Sequence, residues 1–172
     1  MTLRIYTDIE QLHRRAAEQS QRFRYVQARP RVEDPRRALA HQVESDIAGR
    51  LRAQGYHVAR TAPNARFDLL VNGLRVEVKA ATWSPDRGRY AANLRGNQAD
   101  VLVFGCQNSA LHYFVIPFDR VRGQHFLQVS SHDPERYAGR WRAYLEAWYV
   151  LDELIARGVN HWQTTLWEGL EQ

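Results

Sequence analysis

Asn72-Gly73 stands between two apolar runs, FDLLV before it and LRVEVKA after it. Asn-Gly supplies the two left-handed residues of a type I′ turn, so this tetrad commits the chain to a tight antiparallel hairpin. A two-residue loop also fixes the register. Val71 must pair with Leu74, Leu70 with Arg75 and Leu69 with Val76, and the next pair outward is Asp68 with Glu77. Counting from the hydrogen-bonded closing pair, Asp68 and Glu77 fall at a non-hydrogen-bonded position, where side chains approach most closely. Two carboxylates facing each other repel and destabilise a hairpin, so a positive group is expected nearby. Strand alternation puts Arg75, Glu77 and Lys79 on one face and Leu74, Val76 and Val78 on the other. Lys79 then sits about 6.6 Å along the strand from Glu77. The chain's 24 lysine and arginine residues include this single lysine.

Around the hairpin the pattern is that of one α/β domain. Thr7 and Glu10 form a capping-box pattern that predicts a helix over 8–23, followed by a basic, proline-interrupted linker to residue 33. In PRRALAHQVESDIAGRLRAQG, Leu39, Val43, Ile47 and Leu51 recur every four residues and Gly55 ends the helix. HVART, RYAANL, DVLVFGC, HYFVI and FLQVS read as strands. Asp133-Pro134-Glu135 opens a long C-terminal helix to Gly158, with Trp141, Leu145, Trp148, Leu151 and Ile155 as its apolar side. The expected division is 1–33, an N-terminal helix and basic linker, and 34–172, the folded domain.

Composition excludes several classes. No run approaches the roughly 20 apolar residues of a membrane span, and MTLRIYTDIEQLHRR has no apolar signal-peptide core. Cys106 is the single cysteine, so neither an internal disulfide nor a cysteine-based zinc site can form. These features predict a cytoplasmic protein with no membrane partner. The formal net charge is +5, which suits a polyanionic partner and equally suits simple solubility. The arginines cluster over 14–37 and again at Arg87, Arg89 and Arg95. The histidines show no metal-ligand spacing, and no glycine-rich phosphate loop is present.

The ordered set formed by Glu44 on a helix, Phe67-Asp68 on a strand and Glu77-Val78-Lys79 on the next strand resembles the PD-(D/E)XK nuclease superfamily. The stretch RLRAQGYHVARTAPNARFDLLVNGLRVEVKA is similar to the core of small Holliday-junction-resolvase-type and restriction-type enzymes. The strands that end in YFVIPFDRV are more like phage- or intron-associated members. The resemblance covers about residues 38–121. Phe67 stands where the family often has proline, and the helix common after the lysine strand is hard to see in SPDRGRYAANLRGNQ.

The resemblance implies a restriction-endonuclease-like mixed sheet flanked by helices, and a DNA endonuclease dependent on Mg²⁺, for which Mn²⁺ could substitute. Asp68, Glu77 and the Val78 carbonyl would hold the ion. Lys79 would orient or deprotonate the attacking water, and Glu44 would assist. Glu44 reads equally as a structural glutamate at the edge of its helix. Arg66, Arg75, Arg87, Arg89 and Arg95 are the expected DNA contacts. Cutting both strands would take a homodimer, with the N- and C-terminal helices as candidate contacts. The competing reading is a catalytically inactive nucleic-acid-binding module of the same fold.

Overall fold

The computed structural model describes residues 34–62, 65–94 and 98–159. The helix expected over 8–23, the linker after it, Arg95 and the tail 160–172 lie outside the described residues.

Helix α1, Pro35–Ala53, opens on its proline and buries Val43, Ile47, Ala48 and Leu51. It stops in a Schellman arrangement. Gly55, at φ +91°, donates its N–H to the Arg52 carbonyl, and the Tyr56 N–H donates to the Leu51 carbonyl. Strands β1 (Val58–Arg60), β2 (Leu69–Val71) and β3 (Leu74–Thr82) then form an antiparallel meander. The β2–β3 register is the one that Asn72-Gly73 demands, with Val71 opposite Leu74 and Leu69 opposite Val76. Both turn residues carry positive φ, 44° and 87°.

Strand β3 next pairs in parallel with β5 (Val101–Gln107), and β5 pairs antiparallel with β6 (Leu111–Pro117). The sheet order is β1-β2-β3-β5-β6. Strand β5 is an interior strand joined in parallel to the central β3, and Val101–Cys106 is a continuous buried run, as expected where both faces of a sheet are covered.

The two faces are covered differently. Leu74, Val76, Val78, Val101, Val103, Tyr113 and Val115 pack with α1 and with the short helix α2, Tyr149–Ala156. Leu102, Phe104, Cys106, Phe114 and Ile116 point the other way. They are covered by a separate two-stranded antiparallel ribbon, β4 (Tyr90–Asn93) with β7 (Phe126–Val129), together with Tyr137 and Trp141. The parallel crossover from β3 to β5 thus runs through a 3-10 turn at Pro85–Arg87 and strand β4.

The long helix expected from Asp133 to Gly158 does not form. The Asp133 carboxylate caps a 3-10 turn at Pro134–Arg136 by accepting from the Glu135 N–H. The chain then docks on β6. The Glu146 N–H donates to the Tyr113 carbonyl, the Tyr113 N–H donates to Glu146 Oε1, and Leu145 bridges to Phe114. Glu146 itself has φ +50°, which no helix accommodates. Trp141 and Trp148 serve opposite faces of the sheet, so their seven-residue spacing is not one helical stripe. No helix among the described residues is long and apolar enough to cross a membrane.

Candidate active site

Strand β3 has nine residues and its neighbour β2 has three. The ladder between them ends at Leu69 and Val76, so beyond that pair β3 is held only by β5. Asp68 closes this open edge. Its N–H donates to the Val76 carbonyl (3.0 Å), and its Oδ2 accepts from the Val78 N–H (2.7 Å). In a strand the N–H and C=O of one residue face the same edge, so the Val78 carbonyl opens toward Asp68 as well. The expected face-to-face pairing of Asp68 with Glu77 is therefore resolved by a local departure from the ladder, in which Asp68 Oδ2 turns to the main chain. Thr61 holds the loop in place: its N–H donates to the Asp68 carbonyl and its Oγ1 to the Phe67 carbonyl at 2.6 Å.

Glu77 lies one residue along, on the face covered by the ribbon, and is only 3% exposed. An unpaired carboxylate there would be costly. Lys79 compensates, with Nζ donating to Glu77 Oε1. Burial pushes the Glu77 carboxyl above the ordinary glutamate range. The Lys79 ammonium opposes that rise, and the charges of Asp68 and Glu44 add to it. Glu44, on α1, is raised too, first by burial and then by Asp68, while His41, Arg60 and Lys79 pull it down. Glu44, Asp68, Glu77 and Lys79, drawn from α1, the bend before β2 and strand β3, thus share one electrostatic environment.

Among the described residues, no three of the His, Cys, Asp and Glu side chains are arranged to hold a metal ion between them. The donors expected from the sequence are of another kind, two carboxylates and the Val78 carbonyl. Hydrogen bonds among the described residues use one oxygen of each carboxylate, Asp68 Oδ2 and Glu77 Oε1. Hard oxygen donors, few in number, fit Mg²⁺, which keeps several of its own waters.

The arginines divide. Arg66 is exposed, and its carbonyl accepts from the Gln98 N–H, tying the loop before Asp68 to the segment before β5. Arg75 is engaged within the fold: Nε and Nη2 donate to the two oxygens of Asp100 at 3.2 and 2.9 Å. Its fork clamps β3 to the residue before β5, with 30% of the side chain still exposed. Arg87 is exposed at the end of the 3-10 turn, and Arg89 is half-buried with Nη1 donating to Gln128 Oε1 at 3.1 Å.

Three supporting residues escaped the sequence reading. Thr61 fixes Asp68, Asp100 holds Arg75, and Arg60 approaches Glu44 while donating to Ser45 Oγ. The β1–β2 register pairs Arg60 with Leu69, which makes Thr61 the neighbour of Asp68. The loop joining those strands is too long for its turn residues to fix the pairing, so that register had no local signal.

No protein-family model matches the sequence, and a search of curated proteins finds no match. Among solved structures, the fold is similar to that of a bacterial homing endonuclease, I-Ssp6803I. The TM-score is 0.59 and the identity 22%, and the match covers 69% of this chain and 93% of that one. The chain therefore has the fold of that endonuclease.

Proposed function

We propose that the chain is a Mg²⁺-dependent DNA endonuclease of the PD-(D/E)XK type. The observation that carries this reading is a buried glutamate, Glu77, joined to the only lysine of the sequence at the open end of β3. A pure binding module gains nothing from that arrangement, since a buried acid next to a second carboxylate costs stability unless it is used. The shared fold with a homing endonuclease supports the same reading.

Asp68, Glu77 and the Val78 carbonyl would hold Mg²⁺, or Mn²⁺ in its place. The ion supplies neutralisation of phosphoryl charge and a water of lowered pKa. Lys79 Nζ orients or deprotonates the water that attacks phosphorus and offsets the charge of the two carboxylates. Glu44 supports the site from α1. The Val78 N–H holds Asp68 Oδ2, which would leave Oδ1 for the ion. Attack expels the 3′ oxygen and leaves a 5′-phosphate. One site cuts one strand, so a double-strand break takes two copies of the chain.

The test is purified protein with Mg²⁺ against supercoiled plasmid, linear duplex, single strand and four-way junction. Cleavage of any DNA substrate that is lost with EDTA and in Asp68→Asn and Glu77→Gln supports the proposal. Tight DNA binding with no cleavage in Mg²⁺ or Mn²⁺ would replace it with the binding-module reading.

A further inference from the structure

The β4–β7 ribbon has a core side and an outward side. Tyr90, Ala92, Leu127 and Val129 are buried against the sheet. Alternation turns Ala91 and Asn93 outward from one strand and Phe126 and Gln128 from the other. Ala91 lies opposite Gln128, and Asn93 lies opposite Phe126. Arg89 reaches across the strands to Gln128, which orders both side chains before anything binds. Arg87 stands exposed at the ribbon's base.

Two features set this face apart from a merely solvated one. Phe126 is 50% exposed, and the only other large apolar side chain so exposed among the described residues is Tyr149. Its neighbours on the face are an arginine and two amides, the side-chain types whose donor–acceptor pairs match the major-groove edges of guanine and adenine, and phenylalanine and alanine are those that meet the thymine methyl. The ribbon also covers the sheet face that carries Glu77 and Lys79, and it follows β3 directly in the chain.

We infer that the β4–β7 ribbon reads base edges in the DNA major groove, with Asn93 and Gln128 as adenine contacts and Phe126 as a thymine contact. The inference rests on the endonuclease reading for its substrate and adds to it a sequence-reading element. A two-stranded ribbon with strands about 4.8 Å apart enters a groove about 12 Å wide. It does not enter the deep, narrow major groove of A-form RNA. Arg87 and Arg89 hold the flanking phosphates.

The experiment selects bound duplexes from a pool with a randomised core, using the full chain as Lys79→Ala with Mg²⁺ so that DNA stays uncut. The intact ribbon should enrich a motif. Asn93→Ala and Gln128→Ala should each relax it at one adenine, lowering the preference for the selected site over a scrambled one by about 10-fold. Replacing those adenines with 7-deazaadenine, which removes the major-groove N7 acceptor and leaves base pairing intact, should reproduce the loss with no change to the protein. The same sequence as duplex RNA should not compete. Failure to bind duplex DNA, absence of a motif, a motif identical in the ribbon variants, or undiminished binding of the 7-deaza duplex would each overturn the assignment. Sequence-selective binding without cleavage by the wild-type chain would defeat the endonuclease reading and leave the ribbon standing. Cleavage without ribbon-dependent selectivity would do the reverse.

Discussion

Lys79 and Glu77 separate chemistry from stability. Arginine at 79 keeps the charge but adds bulk, donates through a rigid fork and stays protonated at any workable pH. If Lys79 handles the attacking water, Lys79→Arg should bind DNA normally and cleave about 100-fold or more slowly. If the ammonium only balances Glu77, single-turnover rates should stay within a few-fold of wild type. Glu77 supplies the opposite test. Its carboxyl is raised from 4.5, chiefly by burial, so its protonated form favours the fold. That contribution is complete below the ordinary glutamate value and is lost as pH rises through the folded one. Metal-free Glu77→Gln, compared with wild type at several pH values, should therefore gain melting temperature relative to wild type as pH rises through the folded value. The gap should close as pH falls toward 4.5. Mg²⁺ should raise the melting temperature of wild type and leave Glu77→Gln unmoved.

Among the elements, legibility tracked whether structure was specified locally. The hairpin could be read to the residue because a two-residue Asn-Gly loop leaves no freedom in register. Helix α1 could be read because its apolar residues keep one period from Leu39 to Leu51 and glycine ends it. The segment 133–148 misled because Trp141, Leu145 and Trp148 mimic a helical stripe while packing on different partners, a tertiary fact with no local trace. The ribbon was seen only as two weak strands, since nothing in sequence joins Tyr90–Asn93 to Phe126–Val129 across the whole of β5 and β6. The pairing of Glu77 with Lys79 was legible from alternation; the turn of Asp68 toward the Val78 N–H was not. Packing of α1 on the sheet depends on Gly105, where an added Cβ would lie 3.1 Å from Val43 Cγ1. Gly105→Leu should cost about 1–3 kcal/mol by overpacking, visible in a thermal melt. It should also lower cleavage by displacing Glu44, the residue after Val43.

For the molecule as a whole, the formal charge of +5 becomes informative only through its placement. If Arg87 and Arg89 contact phosphate, removing both should flatten the dependence of log Kd on log salt by about two, close to one per released counterion. An unchanged slope measured by fluorescence anisotropy would move the electrostatic footprint elsewhere. The open end of β3 also has a consequence in time. Asp68, Glu77 and Lys79 sit on one short hairpin, whose closure needs little loop entropy and takes about microseconds. The shielding of Glu77 from water awaits β5 and the ribbon, which arrive from far along the chain. The charged cluster is therefore brought together by local contacts, and its burial depends on contacts distant in sequence. If that burial follows the folding barrier, Glu77→Gln should change the rate of unfolding more than the rate of folding, as measured by stopped-flow denaturant jumps.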